Sequence, residues 1–416
     1  MIKTPKLRFS EFNDEWKEKK VEEIFDFYTT NSYSRDCLND TKGIVKNIHY
    51  GDIHMNFSTI LDAKNTHIPY INNEIDLSKI SKDCYCKEGD IIIADASEDY
   101  DDIGKTIEIK NVENQKIVAG LHTMLARDNK DITVNGYRGY MFLNNNVRKQ
   151  IKILAVGAKV LGISKSNINK VSINIPSKIE QQRIAQFFSL IDKKIQKQQE
   201  KVELLEEYKK GMMQKIFSQE IRFKGDNGEE YPEWEEKKLG DILTIPKKIK
   251  EENIRKDKLL TVKLHRMGVQ VNKNTDTLDI GSTVYYKRNA GELIYGKQNF
   301  FNGAIAIIPK ELDGFLSSGD VPSLSANRHK VDLDFLLNFI GRSEFYRKTE
   351  ALASGTGSKR LHEKILLNIE ISLPTVQEQQ KIANFLSILD KKLEKEQEKL
   401  DFLNQWKKGL LQQMFV

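Results

Sequence analysis

The chain is poor in the residues that break, cross-link or anchor a fold. It has 8 prolines in 416 residues, too few for long flexible linkers. Its three cysteines, Cys37, Cys84 and Cys86, form no disulfide framework. Cys84 and Cys86 stand two apart, but no second pair or nearby histidine completes a metal site, so reduced thiols in a cytoplasm are expected. No run approaches the roughly 18 apolar residues of a membrane span, and Met1-Ile2-Lys3 leads directly into charged residues where a signal peptide would turn apolar. Catalytic signatures are missing too. There is no Asn-Pro-Pro-Tyr or Asp-Pro-Pro-Tyr tetrapeptide of the kind that amino-methyltransferases use. Gly104-Lys105-Thr106 ends like a phosphate-binding loop, but Asp99 stands where an earlier glycine is required. The crowding of Asp95, Glu98, Asp101 and Asp102 would repel a phosphate. The seven histidines lack metal spacing, and paired acids such as Asp101-Asp102 read as exposed loop charges.

What is present is a polar, globular composition, 39% hydrophobic and 30% charged, in a chain long enough for two or three domains. The net charge of +6 is modest for a nucleic-acid binder. It is spread unevenly, about −2 over residues 21–175 and about +5 over 239–373. That balance is compatible with DNA binding without establishing it.

The strongest signal is a duplication. Residues 180–195 read EQQRIAQFFSLIDKKI and residues 378–393 read EQQKIANFLSILDKKL, identical at 10 of 16 positions. Two copies in one chain make two equivalent surfaces, which suit a two-part target. The repeat extends further. Ile221-Arg222-Phe223 followed by Trp234 echoes Leu7-Arg8-Phe9 followed by Trp16, and Lys237-Lys238 echoes Lys19-Lys20. The segment that follows the first repeat in mid-chain therefore opens the chain at its start. Read as a circle, the order is connector, variable domain, helix, twice over, which predicts that Phe415 lies near the amino-terminal connector.

Both repeats read as long helices, each about 55–60 Å at 1.5 Å per residue. Apolar residues step by four and three through Ile184, Phe188, Ile191, Ile195, Val202, Leu205, Met212 and Ile216. Shifted by 198, the stripe returns from Ile382 and Leu386 to Leu410 and Met414. This is a coiled-coil seam. Ser177 with Glu180, and Thr375 with Glu378, form capping-box patterns just after Pro176 and Pro374. Each seam is interrupted once, by Gln198 and by Glu396. Two units around a local twofold place their helices head to tail, so these residues either meet in one polar layer that fixes register or each face solvent. The first turns, Glu180-Gln181-Gln182 and Glu378-Gln379-Gln380, are candidate partner-binding surfaces, unless the agreement is simply inherited by duplication.

Between the repeats lie two segments, 21–172 and 239–370, that share little sequence but keep one outline. Gly89-Asp90-Ile91-Ile92-Ile93 matches Gly291-Glu292-Leu293-Ile294-Tyr295 as a turn entering a buried strand, with Gly104 and Gly303 after it. Mixed strands and short helices make these α+β domains. The organisation expected is a connector over 1–20, a domain over 21–172, helix one over 173–218, a second connector over 219–238, a domain over 239–370 and helix two over 371–416. Candidate DNA-contacting residues are polar, planar or basic and sit in irregular stretches. In the first domain they are Tyr33, Arg35, Tyr50, Asp52, His54, Lys105, Lys159 and Lys165. In the second they are Lys263, His265, Arg266, Lys297, Gln298, Asn299, Lys359 and Arg360. Arg and Lys suit guanine edges or phosphates, and Gln and Asn suit adenine edges. Ser354-Gly355-Thr356-Gly357-Ser358-Lys359-Arg360 reads either as a phosphate cradle or as a basic loop.

Two variable domains, each followed by a proline, a Glu-Gln-Gln cap and a long helix ending near Gly211 or Gly409, resemble the specificity subunit of type I restriction–modification enzymes. The resemblance covers essentially the whole chain. It is strong in helices and connectors and weak in the variable domains. It implies an α+β protein with two target recognition domains separated by two long antiparallel coiled-coil helices in a circular pseudo-twofold repeat. It further implies that each domain reads half of a split DNA site and that helix length fixes the spacer. Two modification subunits would supply adenine-N6 methylation with S-adenosylmethionine, and restriction subunits would add ATP- and Mg-dependent translocation and cleavage. No cofactor is expected in this chain. The competing readings are a fused methyltransferase or nuclease, which needs a cofactor motif that is not found, and a coiled-coil regulator or scaffold outside restriction–modification. The last leaves the divergence of two equivalent domains unexplained.

Overall fold

The computed structural model describes residues 4–78, 80–273, 278, 280–355 and 358–416. The chain forms two compact units, Met1–Lys201 with Glu396–Val416, and Val202–Lys395. The main strands of the first unit are β1 (Lys17–Lys20), β2 (Asp26–Tyr28), β3 (Lys46–Ile48), β4 (Ile60–Asp62), β5 (Ile91–Ala94), β6 (Thr106–Lys110), β7 (Ile117–Ala119), β8 (Thr123–Arg127) and β9 (Ser172–Ile175). Its short helices include α1 (Tyr50–Met55) and α2 (Arg138–Phe142). The long helix α3 (Lys178–Phe217) begins here and ends in the second unit.

A five-stranded sheet in the order β2–β8–β5–β6–β4 is the centre of the first unit. Its middle strand shows why an unbroken apolar run was needed. Ile91 and Ile93 point into a core with Trp16, Tyr137, Phe188 and Phe415, whereas Ile92 and Ala94 point into a second core with Ile48, Ile53 and Leu61. A strand covered on both faces has no solvent side for polar residues.

The second unit repeats the plan with β10 (Glu235–Lys238), β11 (Leu243–Thr244), β12 (Leu260–Val262), β13 (Val269–Val271), β14 (Leu293–Tyr295), β15 (Ile305–Ile307), β16 (Leu316–Ser318), β17 (Ser323–Ala326) and β18 (Glu370–Leu373). The helix α4 (Leu333–Ile340) lies within it, and the long helix α5 (Val376–Met414) starts in it and returns to the first unit. Its central sheet runs β11–β17–β14–β15. Leu293 and Tyr295 face one core and Ile294 another, as in the first unit. The connectors also match. β1 pairs antiparallel with β9 from Lys17 opposite Ile175, and β10 pairs with β18 from Glu235 opposite Leu373.

Within each unit the two long helices run antiparallel. In the first, Asp192 pairs with Lys407 at 2.6 Å, and the Gln198 side-chain amide donates to the Glu396 carboxylate at 2.8 Å. Lys201 approaches the same carboxylate at 2.6 Å. The hydrogen bonds from Lys201 and then Gln198 push the Glu396 pKa down to about 2, so the layer stays ionised at neutral pH. The interruption of the seam is thus one shared polar layer and not two solvent-facing irregularities. In the second unit Lys209 pairs with Asp390. Every seam position from Ile184 to Ile216 and from Ile382 to Met414 is buried or half-buried.

The chain ends meet as the circular reading requires. The Leu7 amide donates to the Gln413 carbonyl at 2.9 Å, and Phe415 lies edge-on to Trp16 with ring centroids 6.1 Å apart. In the second unit, where the chain is continuous, the Ile221 amide donates to the Lys215 carbonyl at 3.1 Å. These are the same two positions of the repeat, joined once by peptide bonds and once only by a hydrogen bond and packing.

Candidate nucleic-acid interface

The repeated helix starts correct the expectation that they face a partner. Glu180 and Glu378 are fully buried and each receives an arginine from the preceding connector. Arg8 meets Glu180 at 2.7 Å, and Arg222 meets Glu378 at 2.8 Å. These pairs raise both arginine pKa values. Gln181 accepts from the Val134 amide at 2.9 Å and Gln379 from the Asp332 amide at 2.8 Å. Both also donate to the carbonyls of Pro176 and Pro374. Only Gln182 and Gln380 are exposed. The capping boxes are half made. Ser177 and Thr375 each accept the amide three residues on at 3.4 Å, but the glutamates turn to arginine instead of back to the cap. Four of the six residues therefore clamp connector, domain and helix together inside one unit. An arginine that recurs in both connectors and a glutamate that recurs at both helix starts were the signal in the sequence that could have shown it.

In the first unit the candidates Arg35, Tyr50, Asp52, His54 and Lys105 come together. Helix α1 starts at Tyr50 because His49 caps it, its Nδ1 accepting the Gly51 amide at 3.1 Å. The Tyr50 ring lies among three imidazoles, 4.7 Å from His49, 6.1 Å from His54 and 5.3 Å from His122. Burial, then Arg35, lowers the His49 pKa, which keeps that ring neutral. Asp52 is turned inward. It is buried, and Arg35 holds it at 2.7 Å while Asn56 donates at 3.0 Å, so it orients Arg35 and does not face a ligand. His54 contacts the Ala96 carbonyl at 2.9 Å, and Lys105 donates to the His54 carbonyl at 2.8 Å. Tyr33 lines a neighbouring cleft of about 680 Å³ with Asn31, Asp95 and His122. Lys159 and Lys165 are exposed on other segments, and Lys165 lies over the Phe27 ring. His49 and His122 were not singled out from the sequence. His122 is left-handed at φ 54°, two residues after Gly120.

In the second unit two candidates are corrected. Lys297 is buried and paired with Glu363 at 3.0 Å, so it ties two segments together. Arg266 is mostly buried, which lowers its pKa, and it donates to Asn338 at 3.1 Å. Lys359 and Arg360 are not free cations. They pair with Glu350 at 2.8 Å and Asp320 at 3.3 Å. Such exposed pairs are worth about 0–1 kcal/mol and give way to a phosphate readily. In the proposed cradle, Thr356 and Gly357 lie outside the described residues, and Ser354 bridges Arg360 across it. His265 and Asn299 are exposed, and Lys263 and Gln298 are half-buried.

Among the described residues no group of three or more His, Cys, Asp or Glu is placed to hold a metal ion. Burial raises the Cys86 thiol. No described helix is long and apolar enough to cross a membrane.

Two equivalent frames with unlike surfaces, joined by one pair of helices, match a known family. The family model of the type I restriction modification DNA specificity domain matches residues 13–207 and again 231–405. The chain belongs to the type I restriction–modification DNA specificity family. It is similar to the type I restriction enzyme MjaVIII specificity subunit of Methanocaldococcus jannaschii, 24% identical over 295 residues, 65% of this chain and 68% of that one. The putative MjaX specificity subunit of the same organism is 25% identical over 350 residues, 78% and 76% of the two chains. In fold, the S subunit of a type I restriction–modification system from M. genitalium superimposes over 99% of both chains with a TM-score of 0.56 at 14% identity. A chain from a structure of complex assembly and conformational transition of the type I R-M system covers 95% of this chain and 96% of its own, with a TM-score of 0.51 at 13% identity. As a specificity subunit the protein recognises DNA sequence for a type I restriction–modification complex and is not itself the enzyme.

Proposed function

We propose that each unit reads one half of a two-part DNA site and that the shared helices α3 and α5 set the length of the unread spacer. What carries this reading is the repeated frame. The arginine–glutamate clamp, the connector strand pair and the helix starts recur in both units, whereas the exposed residues around Tyr50 and around His265 differ. Equal scaffolds with unequal faces suit two different half-sites of one duplex.

Two modification subunits would dock on the complex and methylate adenine at N6 with S-adenosylmethionine. Restriction subunits would add ATP- and Mg-dependent translocation and cleavage, all in the cytoplasm. Gln182 and Gln380 remain the exposed members of the repeated turns available to such partners. Lys359 and Arg360 are suited to phosphate contacts once released from Glu350 and Asp320. The test is to map methylated adenines in DNA from cells that carry this chain with its modification partner. The expected motif has two specific parts separated by a gap of fixed length. A single undivided motif, or methylation indifferent to this chain, would overturn the reading.

A further inference from the structure

The two units share a frame, so the same place in each can be compared. In the first unit β3 runs parallel to β7, and β4 flanks β6. In the second, Leu259 just before β12 bridges Leu316 of β16 in parallel, and β13 packs against β15. The connection from β3 to β4 is therefore the counterpart of the connection from β12 to β13. In one unit it is the capped helix α1, and in the other a tight hairpin turn. Unlike as they are, both close on the same corner. The Lys105 side chain, directly after left-handed Gly104, donates to the His54 carbonyl at 2.8 Å. The amides of His265 and Arg266 donate to the carbonyls of Asn302 and Gly303 at 2.9 and 2.8 Å. Gly303 is left-handed at φ 76°, and a Cβ there would lie 3.2 Å from the His265 Cα, so the corner is shaped to receive the turn.

The hairpin turn is costly as built. His265 and Arg266 have φ of 55° and 61°, and the Met267 amide donates to the Leu264 carbonyl at 3.1 Å. That is a turn with both central residues left-handed, where Asn-Gly is the favoured pair. Arg266 is accounted for by its bond to Asn338, which leaves the exposed His265 as the side chain in this turn that packing does not explain. Each connection also presents a methionine to solvent beside its histidine. Met55 is 83% exposed and Met267 69% exposed, in two domains whose sequences otherwise share little. An isolated exposed methionine is unremarkable on its own. Two at the same topological position, one on a helix end and one on a strained turn, are not explained by packing.

We propose that this connection is the base-contacting element of each unit, with Met55 and Met267 making apolar contact to thymine methyl edges in the major groove. The inference rests on the two-half-site reading and names the residues that carry it out. Thymine alone presents a C5-methyl group in that groove, and an apolar side chain against it separates it from the other bases. The flanking His265 imidazole lies within the same turn, placed to hydrogen-bond the neighbouring base edge.

The test uses the chain assembled with its own modification subunits. Methylation motifs are mapped for the wild type, Met55→Ala and Met267→Ala. The expected result is a loss of about tenfold in discrimination at one thymine position, in one half-site for Met55→Ala and in the other for Met267→Ala, with the opposite half-site intact. Replacing that thymine by deoxyuridine in a synthetic duplex should weaken wild-type binding by a similar factor and the matching variant hardly at all. Unchanged motifs in both variants, equal losses in both half-sites, or additive effects of variant and deoxyuridine would each overturn the proposal. A wild-type complex with no two-part motif would sink the reading beneath it instead.

Discussion

Arg8 and Arg222 show how much of each unit depends on single residues. Each closes a connector onto a glutamate that is otherwise buried at a helix start. Removing the cation leaves an uncompensated carboxylate in a site of low polarity, so Arg8→Ala should lower stability by about 2–4 kcal/mol. Urea unfolding would measure it, and hydrogen exchange should show the loosening at the start of α3. Arg222→Ala should do the same at the start of α5. Glu108 makes a different prediction. It is buried on β6, accepts the amides of Gly136 and Gly139, and burial pushes its pKa up to about 7. A carboxyl whose folded value lies above its unfolded one favours the fold fully at low pH. That contribution fades as pH rises between about 4.5 and 7, amounting to about 3 kcal/mol in total. Urea unfolding at pH 5 and pH 8 should therefore show the first unit less stable at pH 8. Glu108→Gln should flatten that difference, because glutamine stays neutral throughout.

At the scale of elements, the polar layer of Gln198, Lys201 and Glu396 is the clearest specificity device in the helix pair. Replacing both Gln198 and Glu396 by leucine should raise the unfolding temperature and weaken the choice of register. Calorimetry would read the first effect, and faster hydrogen exchange in the surrounding helical turns the second. This layer was legible in the sequence because helices repeat in space as regularly as they do in a string of letters. The heptad steps, the two interruptions 198 residues apart and the circular order all survive into the folded protein. The interface was far less legible. Asp52, Lys297 and Arg266 look like surface readers in a sequence, yet each is drawn inward by a partner distant along the chain: Arg35, Glu363 and Asn338. Whether a charged residue faces water or a counter-ion depends on which loops meet. Irregular loops carry no periodicity from which to infer that. The Glu180 and Glu378 turns failed for a related reason, since conserved spacing marks a clamp as readily as a docking surface.

At the scale of the molecule, the domain boundaries lie inside the long helices. α3 leaves the first unit after Lys201, and α5 returns to it at Glu396. A length change in α3 or α5 therefore falls on the segments of chain that run from one unit to the other. Seven extra residues bring the seam back to within about 20° of its phase, whereas four do not. One heptad inserted in α3 alone should mismatch the pair and lower stability. One in each helix should preserve the fold and lengthen the gap in the methylated motif by a few base pairs, read by the same mapping of adenines. The bond from Leu7 to Gln413 leads to a last outcome. Where the second unit spans Lys215 to Ile221 with five intervening residues, fusing Val416 to Met1 would supply nine. A permuted gene that starts at Glu220 and closes that junction directly should yield a folded protein with an unaltered motif, checked by circular dichroism and by modification of DNA in cells. Which half of the site is written first in the gene would then be an accident of where the reading frame was cut.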